Sequence, residues 1–433
     1  MLFRSERHMR MKATNAVLVL LCAMYFISYI VRQNVSTAML EIRPEFQLNN
    51  TQAGIIFSAF GYPYLLFQII GGQAADRFGP RLTLFVSGLV WAGATVLTSF
   101  AWDFYSLLAA RVLMGFGVGA TLPTATRAMQ YWVQTSKRGF AQGITHAFSR
   151  LGNALTPGLI VFLMAMVTWR GSFVVVGLAG FLWVAVWFWY FRDEPKQHPS
   201  VTEAELAVLP QPHKGPRPAI PWGPLIARMW PVTLTYFCYG WCLWLYLSFL
   251  LLFFKDKFML SNGEAALFST VVYTIGAIGN TVGGIVSDGI LHKSTNIRMA
   301  RIGAAVFGFC GALVSLLPIL YLEDKVMVAI CLSAGFFFAE MVIGPMWAIP
   351  MDIAPKYSGT ASGLMNSGSA LAAILSPVVA GYVSDVTGDP QLPFVIAIGV
   401  LMLGAVSSFL MHPEKPFTEE APPSMKPQPA PAE

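Results

Sequence analysis

Long runs without a charged side chain dominate the hydrophobic pattern of this chain. Nine such runs lie at 13–31, 46–75, 82–102, 171–191, 229–254, 265–287, 302–322, 357–384 and 390–413. Since roughly 20 apolar helical residues cross a hydrocarbon core about 30 Å thick, each run predicts a membrane span. Three segments broken by a few charges bring the number to twelve, near 104–130, 140–168 and 326–350. The pattern predicts an all-α polytopic protein of the lipid bilayer.

The composition agrees with this class. Of the 433 residues, 55% are hydrophobic and 12% are charged, and the mean hydropathy is +0.59. About a quarter of a soluble chain is charged. The first apolar run is longer than a signal-peptide core, so we expect no cleavable leader. The cysteines fall inside apolar spans without metal-ligand spacing, and we expect neither a metal nor a cofactor.

The distribution of lysine and arginine predicts the orientation. With the N-terminus inside, nineteen of the 28 lie in cytoplasmic segments, five in outer loops and four within spans. The positive-inside rule then places both termini in the cytoplasm, and we expect the plasma membrane, which is the inner membrane in a bacterium. Because this placement explains the net charge of +6, the charge indicates no nucleic-acid partner.

The chain divides into two halves of six spans. We predict a cytoplasmic N-terminus at 1–13, a six-helix bundle at 14–191, a cytoplasmic linker at 192–228, a second six-helix bundle at 229–411 and a disordered cytoplasmic tail at 412–433. The linker and the tail are polar and rich in proline, a composition that cannot bury a core.

The two halves resemble each other in sequence. Residues 143–160 match 363–380 at an offset of 220, and 71–76 match 283–288 at an offset of 212. Two parallel repeats of six helices predict a working cavity between them, near the middle of the membrane.

A charged motif follows the second span. In 72-GQAADRFGPR-81, a glycine allows close helix packing, and Asp76, Arg77 and Arg81 lie together at the cytoplasmic edge. The spacing G-x-x-x-D-R-x-G-x-R resembles the signature loop of the major facilitator superfamily. A degenerate copy in the second half keeps Asp288 but lacks the following arginine. The resemblance implies twelve transmembrane helices in two pseudo-symmetric six-helix bundles, the major facilitator fold.

In that superfamily the loop acid holds the inner gate closed. The resemblance therefore implies that Asp76 pairs with Arg127 and faces the start of the eleventh span near Ser358, where the helix dipole favours an acid. Arg77, Arg81 and Asp288 would belong to the same gate. The alternative is a topological anchor with no moving role.

A finer resemblance covers most of the membrane part. Residues 58–73, 111–132, 141–157 and 347–368 look like the anion:cation symporter family. That family carries sugar acids, other carboxylates and related organic anions, usually with protons. The resemblance places the family's cavity residues on Tyr29, Arg32, Tyr64, Arg111, Arg150, Trp347 and Asn366. For the three aromatic residues the alternative is core packing.

Charges inside the spans point to the same function. A charged side chain at the membrane centre is costly, so it is a functional candidate by default. Four arginines lie within spans, but of the 22 acids only Glu340 lies deep in one. We interpret the missing anion as the substrate, since the planar guanidinium binds oxyanions bidentately. The alternative is that these arginines hold helices together by pairing with carbonyls.

The chain departs from the family where protons are carried. Val31 and Val118 stand where proton-coupled members carry acids. Glu340 is the first replacement candidate and would also offset part of the Arg32 charge; its alternative role is that of a static partner for a buried arginine. His146, a candidate for proton coupling and for substrate binding, could instead be a hydrogen-bonded structural group.

The sequence predicts a secondary active importer of a small organic anion, a carboxylate or sugar acid. It would work by alternating access as a monomer, with a proton or possibly sodium as the coupling ion. No P-loop is present for ATP binding. The alternatives are an anion uniporter or exchanger, an exporter of small hydrophobic compounds, and a channel-like or sensory membrane protein. An enzyme is not expected, because no nucleophile–base spacing accompanies Glu340 and His146.

Overall fold

A computed structural model describes residues 12–134, 138–210, 220–354 and 357–415, together with Phe417. Most of the predicted cytoplasmic N-terminus and of the predicted disordered tail lies outside these residues. Within them the chain is helical, with connections that are short apart from the segment between the two halves.

Fourteen α-helices are formed by the described residues. They are α1 (Ala13–Glu45), α2 (Asn50–Ala59), α3 (Gly61–Phe78), α4 (Pro80–Thr98), α5 (Phe104–Trp132), α6 (Arg138–Tyr190), α7 (Glu203–Val208), α8 (Trp222–Phe258), α9 (Asn262–Ser294), α10 (Ala304–Leu316), α11 (Lys325–Met341), α12 (Ile343–Ile353), α13 (Ser358–Thr387) and α14 (Leu392–Ser408). A π-helical turn (Met299–Gly303) and a 3₁₀ turn (Leu317–Leu320) flank α10.

These helices account for twelve spans. Ten helices or end-to-end helix pairs are long and apolar enough to cross a membrane, and α14 is a shorter apolar helix. One of the ten, α6, contains two spans, because Val167 and Thr168 leave helical geometry and Thr168 has a φ of 66°. The second span is α2 with α3, and the tenth is α11 with α12. The all-α membrane fold predicted from the sequence is confirmed.

Local sequence signals fix where several helices begin. A capping box uses the side chain of the residue before the helix to bind a free N–H of the first turn, while the third helical residue binds back. The described chain has such boxes at Asn49 with Gln52, Asp103 with Ser106, Thr202 with Glu205 and Ser261 with Glu264. Three of them start helices at the predicted outer end of the membrane, after short loops.

The segment between the halves contains structure that its composition did not predict. The short helix α7 lies in it, and Glu205 of α7 accepts a hydrogen bond from the Thr14 hydroxyl of α1 at 3.1 Å. The seventh span begins at Trp222, inside the 192–228 stretch predicted as linker, because Leu225 and Met229 are buried and extend the apolar face of α8.

The two bundles meet along helices that the sequence repeats relate. Helix α13 packs on α2 and α3, α6 packs on α9, and α1 contacts α8. The offset of 212 relates α3 to α9, and the offset of 220 relates α6 to α13. The two main contacts are therefore equivalent under the pseudo-symmetry. A Cβ at Gly54 would overlap the Pro377 carbonyl, and one at Gly381 would overlap the Asn50 carbonyl, so both glycines permit direct backbone contact.

Polar contacts join the bundles at the predicted outer end. The Asp385 carboxylate at the end of α13 accepts hydrogen bonds from the Asn50 N–H (3.0 Å), the Thr51 N–H (2.7 Å) and the Thr51 hydroxyl (2.6 Å). An acid at a helix N-terminus is favoured by the free N–H groups and the helix dipole. Arg43 forms a bidentate ion pair with Asp256 at 2.6 Å for both contacts. These bonds hold the two bundles together at that end.

Removing the Asp385 charge should loosen this closure. In Asp385→Asn, a neutral amide replaces the carboxylate that accepts all three α2 bonds, so the outer end opens more often. A cysteine at Ser36, whose hydroxyl donates to the Ser248 carbonyl across the bundles at 3.2 Å, reports the opening. We expect a membrane-impermeant maleimide to label Ser36→Cys several-fold faster from outside in the Asp385→Asn background.

A matched control is Asp389→Asn in the neighbouring outer loop, where the described carboxylate contact is with the Gln391 N–H of the same loop. It should leave the labelling rate unchanged. Equal rates in the Asp385→Asn protein and its parent would show that this carboxylate does not hold the outer end. Labelling of the native cysteines is subtracted with the protein that lacks the Ser36 substitution.

Candidate functional site

Arg32 of α1 is buried against two tyrosine rings. Its side chain is buried, and its Cζ lies 4.7 Å from the centre of the Tyr29 ring and 4.8 Å from that of Tyr64. Contact with an aromatic face stabilises a cation. In the described part of the chain, the guanidinium Nε and Nη2 have no hydrogen-bond partner. The structure thus brings together Arg32 and the two predicted tyrosines.

Arg111 of α5 is a second buried cation. Its Nε donates to the Ile56 carbonyl at 3.4 Å, its Nη1 lies 3.1 Å from the Met114 sulfur, and its Cζ lies 4.9 Å from the Phe60 ring centre. The guanidinium is close enough to Arg32 for the two charges to repel each other. No ion pair to either arginine occurs among residues 12–134, 138–210, 220–354 and 357–415.

Arg150 and Glu340 form an ion pair that crosses between the bundles. Arg150 Nε of α6 lies 3.3 Å from Glu340 Oε2 of α11, although the N–H does not point along a hydrogen bond. Glu340 also accepts the Tyr239 hydroxyl of α8 at 2.9 Å and the Asn280 amide of α9 at 3.4 Å. The sequence suggested that Glu340 offsets Arg32; its close ionic partner is Arg150, on a helix of the other bundle.

His146 lies one turn before Arg150, as its spacing predicts. Its ring centre is 5.6 Å from that of Tyr25 and 5.8 Å from that of Trp347, so it too faces the other bundle. Trp347 donates its indole N–H to the Tyr236 hydroxyl at 2.8 Å. An aromatic wall therefore borders the ion pair.

Asn366 of α13 faces the second span across the bundle boundary. Its amide Nδ2 donates to Gln68 Oε1 of α3 at 3.3 Å, and it also interacts with the Tyr64 hydroxyl. The sequence did not single out Gln68, nor Tyr239 and Asn280 beside Glu340. Their only signal is a neutral polar side chain inside an apolar span, which many structural residues share.

The signature loop forms the contact that its resemblance implies. Arg127 Nε of α5 lies 3.0 Å from Asp76 Oδ1 at the end of α3. The side chain of Ser358, the other expected neighbour, lies outside the described residues. Arg77 stacks on Phe78, with its Cζ 5.3 Å from the ring centre.

Arg81 of the same loop turns toward the sixth span. Its guanidinium donates to the Phe188 carbonyl at 3.1 and 2.7 Å, and the backbone N–H of Arg81 donates to the Asp193 carboxylate at 2.8 Å. Partial burial raises the pKa of Asp193 above its ordinary value, against the opposing effect of Arg81. Arg81 therefore ties the loop to the end of its own bundle.

The second half has its own charged cluster at the same membrane edge. Arg301, in the π-helical turn, lies 3.0 Å from Asp288 Oδ1 and 3.1 Å from Asp352 Oδ2, and it donates to the Ser287 hydroxyl at 2.8 Å. Arg301 thus supplies the cation that the degenerate motif lacks next to Asp288. Sequence inspection missed it because thirteen positions separate the two residues.

The buried charges of the candidate site leave a positive surplus. Glu340 pairs with Arg150, whereas the guanidinium charges of Arg32 and Arg111 have no acid partner in the described chain. No group of three or more metal-ligating side chains occurs in the part of the chain that the structure covers. Chemically, the site can bind an oxyanion through guanidinium, phenol and amide donors.

Known proteins resemble this chain over nearly its whole length. The model of the Major Facilitator Superfamily matches residues 21–377. A protein of Cupriavidus necator named "Probable sulfoacetate transporter" is 43% identical over 409 residues, which cover 93% of this chain and 95% of that protein. The hexuronate transporter of Bacillus subtilis is 26% identical over 386 residues, which cover 88% of this chain and 90% of that protein. The D-galactonate transporter of Escherichia coli is 27% identical over 412 residues, which cover 91% of this chain and 94% of that protein.

A solved structure has the same fold. A bacterial homologue of the human lysosomal transporter Spinster, in an inward-facing and unoccupied conformation, superimposes with a TM-score of 0.77 at 18% identity. The match covers 93% of this chain and 97% of that one. The predicted arrangement of two six-helix bundles is confirmed by this likeness.

The Arg150–Glu340 pair should show strong energetic coupling. Glu340→Leu leaves a buried arginine uncompensated, so we expect it to lower the free energy of unfolding by about 3 kcal/mol. Adding Arg150→Met should restore most of that loss, because neither charge then needs a partner. Thermal unfolding of the purified protein in detergent, in a double-mutant cycle, measures the coupling.

The matched control is the exposed pair Lys325–Glu264 at 3.6 Å. Solvent screens this pair, so its cycle should show no measurable coupling. Additive effects at Arg150 and Glu340 would mean that the buried pair contributes as little as the exposed one.

Proposed function

Because the chain belongs to the Major Facilitator Superfamily, we propose that it imports a small organic anion across the plasma membrane by alternating access. The observation that carries the proposal is the buried guanidinium of Arg32, whose Nε and Nη2 lack a partner in the described chain. Burying such donors is costly unless an acceptor binds them. An anion bound in transit supplies both the acceptor and the missing charge.

The charge of the cavity favours an anion with two negative groups. Arg32 and Arg111 have no acid partner among the described residues, and their mutual repulsion is relieved by a ligand of opposite charge. Sulfoacetate, which names the relative at 43% identity, is a dianion; hexuronate and galactonate, which name more distant relatives, carry one charge. Sulfoacetate is therefore the first substrate to test.

The closed outer end fits one state of an alternating-access cycle. The bonds of Asp385 with α2 and of Arg43 with Asp256 hold the bundles together on that side. At the opposite edge, Asp76 with Arg127 and Asp288 with Arg301 stabilise the ends of their own bundles. We propose that breaking the outer bonds, while the inner edges approach, exposes Arg32 to the outside.

Glu340 is the proposed site of proton coupling. Its charged form holds Arg150, and a proton on it would free that guanidinium for the anion. The groups that face it are Arg150 from α6, Asn280 from α9, and Tyr236, Tyr239 and Cys242 from α8, with His146 one turn from Arg150. Proton and anion would then bind together, which is symport.

An exchanger or uniporter is the second candidate. Val31 and Val118 stand in place of the acids that the resembling family uses, and Glu340 already has an ionic partner. If that pair is permanent, anions cross without protons. We also propose a monomer with both termini in the cytoplasm of a bacterial cell.

Uptake into proteoliposomes distinguishes these modes. Labelled sulfoacetate, a hexuronate and galactonate are supplied with and without an inward proton gradient. We expect the wild type to accumulate one of them only with the gradient, and Arg32→Ala to transport none. Glu340→Gln, which cannot release a proton, should exchange the anion but not accumulate it.

Glu264→Gln, at an exposed outer position, is the matched control and should accumulate the anion like the wild type. Rapid exchange without any effect of the gradient would overturn symport and support the exchanger. Normal transport by Arg32→Ala would overturn the assigned site.

A further inference from the structure

Unpartnered donors cluster where α1, α3 and α13 meet. Within the described chain, Arg32 leaves Nε and Nη2 without a partner, and Gln68 leaves Nε2 without one. All three atoms are almost completely shielded from solvent. Buried polar groups are nearly always hydrogen-bonded, so three donors in one region indicate an acceptor that the protein does not provide.

A chain of contacts through Tyr64 and Asn366 links Gln68 to Arg32. It lies one turn after Tyr64 on α3, and residues four apart share a helix face. The Tyr64 ring covers the Arg32 guanidinium, and its hydroxyl interacts with both Arg32 and Asn366. Asn366 in turn donates to Gln68 Oε1 at 3.3 Å. This bond occupies the oxygen of the Gln68 amide and leaves its N–H₂ as the free end.

We propose that Gln68 determines substrate specificity by binding a third oxygen of the anionic head group that Arg32 holds. The inference rests on the proposed function. The Nε–Nη2 edge of a guanidinium matches two oxygens of an oxyanion in parallel hydrogen bonds. A planar carboxylate held in this way keeps further lone pairs, but they lie in the plane that it shares with the guanidinium. A sulfonate is tetrahedral, so its third oxygen lies out of that plane, and we place the Gln68 N–H₂ there as its donor.

The consequence is a preference for a sulfonate over a carboxylate of equal charge. Sulfoacetate and malonate form a matched pair, since each carries two anionic groups on one methylene and both are dianions at neutral pH. They differ only in one head group, so comparing them tests the oxygens of that group at constant charge. A site that responds only to charge binds them equally.

Calorimetric titration of the purified protein in detergent measures both dissociation constants. One hydrogen bond to a charged group gives an expected preference of about tenfold for sulfoacetate over malonate in the wild type. In Gln68→Leu, the dissociation constant of sulfoacetate should rise about tenfold while that of malonate is unchanged, so that the preference disappears. Gln68→Asn, which withdraws the amide by one methylene, tests the same loss with a polar side chain.

Gln73→Leu is the matched control, because Gln73 lies on α3 but is exposed. It should keep the preference. Unchanged malonate binding shows that the Gln68 variants are folded.

Three results would overturn the inference: equal binding of the two anions by the wild type, a preference that survives in both Gln68 variants, or equal weakening of both anions. Failure of the proposed function has a different signature. In that case the wild type neither binds these anions nor transports any anion in the uptake experiment.

Discussion

A cation inside a membrane protein is stable only where its surroundings replace the water it has lost, and this requirement organises the space between the bundles. Around Arg150 the replacement is ionic, through Glu340, whose oxygens also bind Tyr239 and Asn280. Around Arg32 it is aromatic, and two nitrogens have no acceptor in the described chain. The described residues therefore form a neutral region around Arg150 and a positive region around Arg32, where we propose that the anion binds.

The same boundary carries the contacts that decide how the bundles are oriented. Apolar helix surfaces gain little from each other in lipid, which is as apolar as they are, so close packing and polar bonds decide which surfaces stay together. The described outer contacts, such as Asp385 with Thr51, are of this kind, and so is the pair of Arg150 with Glu340. A change of charge at the cavity can therefore alter the balance between the two ends.

The sequence predicted the parts of this architecture that depend on local signals. Span lengths, the repeat and the signature loop identify the fold, and charges in apolar runs stand out. The sequence does not tell which buried charges pair, because pairing depends on how each helix is rotated. Only the fold shows that Glu340 faces Arg150. Arg301 could not be predicted because it lies thirteen residues after Asp288, outside the motif, and Gln68 could not because neutral polar residues are common in spans.

The contact of α2 with α13 has a consequence for how such carriers diversify. At Gly54 and Gly381 the two main chains touch, so this part of the closed end is formed by backbone. This backbone contact does not depend on which side chains bind the anion. Side chains of the site can therefore change without altering this contact, whereas a side chain at either glycine would force the two helices apart.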